Sequence, residues 1–132
     1  MNFTPTRINV FNFFKLPSVW WCGIRVTKID HISCQVKVVH RWINQNPFKS
    51  MFWAVQGMAA ELTTGVLIME AIQNSKRKVS MLVLNNRANF SKKARGKVLV
   101  ECDAKQTLFP AMTQLTKTPH PHALLLTSNA ID

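Results

Sequence analysis

The chain has 132 residues, a mass of 15.1 kDa and a formal net charge of +11, enough for one core of ordinary size and too short for two. Hydrophobic residues make up 47% and charged residues 17%, a balance that excludes a largely disordered chain. Three widely spaced cysteines, Cys22, Cys34 and Cys102, contain no Cys-x-x-Cys pair, which argues against a disulfide scaffold or zinc module and for a reducing, cytoplasmic setting.

Residues 1–22 form a lead-in segment containing FNFFKLPSVWW. It lacks a continuous apolar core and a small-residue cleavage site, so no secretory signal is expected. The reading is a short amphipathic helix ending near Pro17 and lying over a sheet edge or a hydrophobic opening. Residues 23–103 read as one domain. In GIRVTKIDHISCQVKVVH (residues 23–40) Ile24, Val26 and Ile29 are set against Arg25 and Lys28. Beyond Asp30, Ile32, Cys34, Val36 and Val38 alternate with Ser33, Gln35 and Lys37. Period-two alternation predicts two strands with one face in the core, and Asp30-His31 marks the turn.

Residues 50–73, SMFWAVQGMAAELTTGVLIMEAIQ, are free of proline and rich in Ala, Met and Leu. They predict a long helix with Ser50 as its N-cap, about 36 Å if wholly helical. Apolar side chains lie nearly all round its wheel, so burial in a core or a membrane is expected. Glu61 would stand at mid-bilayer at a cost of about 2.5 kcal/mol or more, and Gln56, Thr63 and Thr64 add to it. No transmembrane span is therefore expected. Steps of 100° bring Ser50, Gly57, Glu61, Thr64 and Ile68 within about 40° of one another, with Ala54 and Gly65 beside them. Glu61 thus occupies a notch between small residues, while Gln56 falls on another face.

Downstream, residues 78–89 (KVSMLVLNNRAN) and 96–102 (GKVLVEC) predict two further strands around the turn SKKARG. Strands on both sides of one long helix give an α+β class, an antiparallel sheet packed on a central helix. The charge follows the same division. Residues 1–49 carry seven bases and one acid, residues 50–75 two acids and no base, and residues 76–97 eight bases and no acid. Residues 104–132 form a tail with prolines at 110, 119 and 121 and one short apolar run.

Strands arranged around a helix that NPFKSMFWAVQGMAAELTTG leads into resemble the hotdog-fold thioesterases. Within that superfamily the likeness is to an uncharacterised thioesterase-like branch, and it covers about residues 15–103. Acyl-CoA thioesterases of the phenylacetate-pathway type place an Asn just before the helix and a histidine-glycine-glycine at its start. An acid follows in mid-helix, with a small residue four positions later. The matching positions are Asn46, Glu61 and Gly65. The segment RANFSKKARGKVLV is similar to the family's region after the helix, where basic residues meet the phosphates of coenzyme A. That likeness assigns Lys92, Lys93 and Arg95 to phosphate binding. The resemblance implies a hotdog fold and an acyl-CoA-type substrate. It also implies a homodimer or dimer of dimers with the acyl pocket at the subunit interface, and no cofactor.

Two departures stand out. Phe52, Trp53 and Ala54 occupy the place of the histidine-glycine-glycine, so the oxyanion donor of the family does not carry over. The ending also lacks the family's alternation, so the C-terminal strands are expected to be missing or divergent, through truncation, a frameshift or a tail that covers the sheet edge.

The resemblance makes Glu61 the general base or nucleophile and Asn46 the residue that orients water or the substrate carbonyl. Gly57, Thr64 and Gly65 would face the substrate, and Gln56 would line the partner's pocket. The structural alternatives are a buried acid with a polar or cationic partner, a turn asparagine and a helix-to-sheet hydrogen bond. The basic run admits a solvated loop, coenzyme phosphates or a nucleic acid. No helix-turn-helix, zinc finger or RNA-binding aromatic signature supports specific nucleic-acid recognition. His31, His40, His120 and His122 show no ligand spacing, and neither a Ser/His/Asp set nor a glycine-rich phosphate loop is present. The leading expectation is an acyl-CoA thioester hydrolase. The alternatives are a non-catalytic acyl-CoA or fatty-acyl binding module and a basic membrane-surface or nucleic-acid binding protein.

Overall fold

Pro5 opens the first helix, α1 (Pro5–Lys15), in a computed structural model that describes residues 2–30, 32–76, 78–103 and 126–131. A proline at the first helical position forfeits no helical hydrogen bond, and the Thr4 hydroxyl accepts the Arg7 N–H at 3.3 Å. Leu16 closes α1, and Pro17 opens the short α2 (Pro17–Trp21), so the first helix ends where expected. Asn9 projects from α1 and acts as a surrogate strand. Its Nδ2 donates to the Val26 carbonyl at 3.1 Å and its Oδ1 accepts the Val26 N–H at 2.8 Å. The lead-in segment thus caps the outer edge of the first strand at that residue, where bare backbone groups would invite a foreign strand.

The first two strands are β1 (Arg25–Ile29) and β2 (Ser33–Val39), paired antiparallel. Asp30 builds the connection: its Oδ1 accepts the N–H groups of Ile32 and Ser33, both at 2.8 Å, and its Oδ2 accepts the Ser33 hydroxyl. A carboxylate that satisfies three donors performs the work a glycine turn does elsewhere. The register slips between Val26 and Lys28, a bulge that returns Ile29 to the same face as Val26 despite the odd spacing. The sequence showed this as Ile24, Val26, then Ile29.

The central helix, α3 (Trp53–Ser75), starts two residues later than expected. Ser50 does not cap it. Its hydroxyl is tied to Asn46, and Met51 is still extended, bridging Gln45 and donating its N–H to the Ala94 carbonyl at 2.8 Å. Phe52 takes the cap position without a side-chain bond. Among the described residues no helix is long and apolar enough to cross a membrane. The all-round burial suggested by composition is not found within one chain. Val55, Ala59, Leu62, Thr63, Val66, Leu67 and Glu70 face inward, whereas Trp53, Gly57 and Glu61 are exposed.

β3 (Lys97–Asp103) pairs with β2, and β4 (Ser128–Ile131) pairs with β3, giving an antiparallel sheet in the order β1-β2-β3-β4. The inner face of the sheet presents Val26, Cys34, Val36, Val38, Val98, Val100 and Cys102 to α3, which packs on β2, β3 and β4. One expectation needs correction. Residues 78–89 are not a strand; from Ser80 onward they are exposed and irregular. Among the described residues they pair with no strand: β2 and β3 have both edges taken, Asn9 occupies that of β1 at Val26, and β4 pairs only with β3. The last residues, in contrast, do extend the sheet. They are held by polarity rather than apolar alternation: the Thr63 and Ser128 hydroxyls share a hydrogen bond of 2.7 Å, and Ser128 also donates to the Ala60 carbonyl. The rest of the tail, with His120 and His122, lies outside the described residues, as do His31 and Arg77.

Cys34 and Cys102 are directly opposed on β2 and β3, and both are free and buried. Burial, reinforced by Cys102, Glu70 and Asp30, pushes the Cys34 thiol from 9.0 up to about 12. A thiol held neutral in the fold ionises first in the unfolded chain. Stability is therefore intact below pH 9.0 and is lost as pH rises toward about 12, by at most about 1.4 kcal/mol per pH unit. Urea midpoints measured across this range should fall less steeply in Cys34→Ala than in the native chain.

Candidate functional site

α3 carries Glu61 two turns in from its start, on the face turned away from the sheet. Its carboxylate meets neither a hydrogen-bond donor nor a cation among the described residues, while its backbone carbonyl accepts the Thr64 hydroxyl at 2.9 Å. The structural alternative, a buried acid paired with a base, is therefore not found among the described residues, where Glu61 is exposed. Gly57 and Gly65 flank it one turn on either side. A Cβ at Gly65 would meet nothing within 4 Å, and one at Gly57 only the Trp53 ring at 3.9 Å. Packing inside the chain gives no reason for either glycine. The notch predicted from the helical wheel is present and open.

Asn46 lies in the loop before α3 and braces it. Its Oδ1 accepts the N–H groups of Phe48 (2.9 Å) and Ser50 (3.2 Å), and its Nδ2 donates to the Ser50 hydroxyl (3.0 Å). Gln56 is half-buried and donates to the Met51 carbonyl at 3.3 Å, on the loop side of the helix as its wheel position implied. Lys92, Lys93 and Arg95 are exposed around buried Ala94, whose carbonyl receives the Met51 N–H. That contact lays the basic turn beside the Asn46 loop, and the Lys93 ammonium stands 5.8 Å from the Phe48 ring centroid.

The site residues thus fall into two groups. Gly57, Glu61, Thr64 and Gly65 share one helix face, while Asn46, Gln56 and the three cations gather at its N-terminal end. Glu61 is eight residues beyond Trp53, about 12 Å along the axis, so a single chain does not join the groups. Phe52 and Trp53 mark the helix start, their rings edge to face with centroids 6.2 Å apart. Both are exposed. With no side-chain cap, the first-turn N–H groups remain directed outward, although two bulky rings crowd any approach.

Sequence reasoning missed Asn44. This buried amide donates to the Cys22 and Val39 carbonyls at 3.0 and 2.9 Å and accepts the Arg41 N–H at 2.8 Å. It ties the loop to α2 and to the end of β2. One polar residue in the run WINQNP carries no pattern that would have revealed it. The loop also encloses an open recess of about 390 Å³ lined by Trp42, Ile43, Gln45, Asn46 and Pro47. No group of three or more histidines, cysteines or carboxylates suited to a metal occurs among the described residues.

Comparisons with known proteins agree with this architecture. A candidate thioesterase from Shewanella oneidensis superposes with a TM-score of 0.70 at 12% identity, over 83% of this chain and 76% of its own. A protein of unknown function from Chlorobaculum tepidum gives 0.73 at 15% identity, over 87% and 74%. A thioesterase from Haemophilus influenzae gives 0.62 at 16% identity, over 78% and 69%. These likenesses establish the fold, an antiparallel sheet and long helix of the hotdog type. No curated protein matches the sequence. The family profile described as a domain of unknown function, DUF4442, matches residues 5–124. Nearly the whole chain is thereby accounted for, and it belongs to the DUF4442 family of hotdog-fold proteins.

Proposed function

We propose that the chain is an acyl-CoA thioester hydrolase that works as a homodimer, or a dimer of dimers, with Glu61 as the general base. The observation that carries this reading is the open notch around Glu61. Among the described residues this carboxylate has no partner, and packing requires neither of the glycines beside it. In this reaction Glu61 takes a proton from water as the water oxygen attacks the thioester carbonyl. The tetrahedral intermediate then expels the coenzyme thiolate, which collects a proton. Lys92, Lys93 and Arg95 would hold the coenzyme phosphates, and Asn46 would keep the loop that carries them in shape. The two groups of residues lie apart on one chain, so a second copy is needed to bring the Glu61 face of one protomer to the basic end of the other. The thioesterase from Haemophilus influenzae shares the fold and supports the reaction class. A reducing, cytoplasmic setting suits the three free cysteines.

A second reading has its own observation. Phe52 and Trp53 stand exposed at the helix start, where they favour retention of an acyl group over polarisation of its carbonyl. This describes a non-catalytic acyl-CoA or fatty-acyl binding module.

An acyl-CoA hydrolysis assay separates the two readings. Turnover by the native chain that falls at least about a hundredfold in Glu61→Gln, with acyl-CoA binding retained, is the expected result. Binding without turnover in the native chain would replace the hydrolase with the binding module.

The glycines give a second test. A helical glycine with free space around it costs roughly 0.5–1 kcal/mol relative to alanine. Gly65→Ala should raise the unfolding free energy of the dilute, monomeric chain, measured by urea denaturation, by that amount and lower the activity of the assembled enzyme. Stabilisation without loss of activity would show that the notch holds nothing.

A further inference from the structure

Residues 41–49 end in a braced, outward-facing cap. Asn44 anchors its base, and the Asn46 amide closes its tip through three hydrogen bonds to Phe48 and Ser50. Lys49 is held at φ 59°, a left-handed conformation that non-glycine residues adopt at a cost and only where their surroundings impose it. This scaffold holds Trp42 82% exposed, Phe48 71% exposed and Ile43 47% exposed, with Pro47 between them. None of these side chains belongs to the core. Arg41 and Lys49 are exposed beside them, and Lys93 lies against the Phe48 ring. The sequence contains no acid between residues 31 and 60, nor between 71 and 100, so neither the cap nor the basic turn next to it contributes a negative charge.

We propose that this cap docks the protein on an anionic lipid surface. Tryptophan and phenylalanine would enter the interfacial layer while Arg41 and Lys49 pair with lipid phosphates. The charge selects this occupant. A two-fold axis through the cap would set the cations of one copy against those of the other, and like charges at an interface repel. A single-stranded nucleic acid needs a basic groove with flat rings in series. Here Ile43 and Pro47 stand between Trp42 and Phe48 in the sequence and offer no aromatic ring for a base to stack on. The proposal is independent of the thioesterase reading, because Trp42, Phe48, Arg41 and Lys49 have no part in that reaction.

Cosedimentation of the full chain with vesicles tests it. Phosphatidylcholine vesicles containing phosphatidylglycerol should bind the chain at least about tenfold more tightly than pure phosphatidylcholine, with the advantage falling as salt is raised. Trp42→Ala combined with Phe48→Ala should weaken that binding about tenfold or more. Arg41→Gln combined with Lys49→Gln leaves the apolar residues in place and should do the same, so the proposal does not rest on one pair of substitutions. Circular dichroism confirms that each variant is folded. Equal binding to both vesicle types, or undiminished binding by the two folded variants, would overturn the proposal. So would tighter binding to a single-stranded RNA oligonucleotide than to the anionic vesicles.

Discussion

Val55, Ala59, Leu62, Val66 and Leu67 of α3 lie against Val36, Val38, Val98 and Val100 of the two central strands, and this contact fixes the rotation of the helix about its axis. Each of the larger side chains contributes roughly 1.5–3 kcal/mol by leaving water. Turning the helix by one residue would expose several of them together and carry Glu61 toward the sheet, where no cation awaits it. The burial of one face therefore determines what the opposite face presents. Gly57, Glu61, Thr64 and Gly65 look outward because the valines and leucines look inward.

The remaining elements protect that central contact or extend from it. Asn9 shields the outer edge of β1 at Val26, and the Thr63–Ser128 bond draws β4 onto the far side of the sheet. At the start of the helix the loop is held by Asn44, by the Asn46 amide and by the bond from Met51 to Ala94. Polar side chains do this work where the chain has no regular backbone partners, as buried polar groups require. The consequence for function is a division of labour. The helix face offers a carboxylate with space beside it, and the braced loop offers aromatic rings and cations.

The parts of this arrangement that rest on repetition were legible in the sequence. Period-two alternation from Ile24 to Val38 located β1 and β2, and the departure from it at Ile29 recorded the bulge. Helical spacing alone puts Glu61 between its glycines. What rests on single polar contacts was not legible. Ser50 had every attribute of an N-cap and was claimed by Asn46 instead. Residues 78–89 had the alternation of a strand, but alternation gives a strand its face and cannot supply a free edge. Ser128–Ile131 had too little apolar content to suggest a strand; it pairs with β3 through the backbone, and one hydroxyl pair ties it to α3. Composition likewise suggested that α3 is buried all round, since an apolar wheel does not distinguish a face covered by the chain's own sheet from one left open.

The most direct test of this account probes whether the Glu61 face is open in the free chain and covered when it is occupied. Gly65→Cys places a thiol in the notch, with Val66→Cys as a buried control one residue along. Maleimide labelling should modify the first rapidly and the second only on unfolding, and a bound non-hydrolysable acyl-CoA analogue should slow the first. An unreactive thiol at position 65 in the free chain, or one whose labelling the analogue leaves unchanged, would contradict the account.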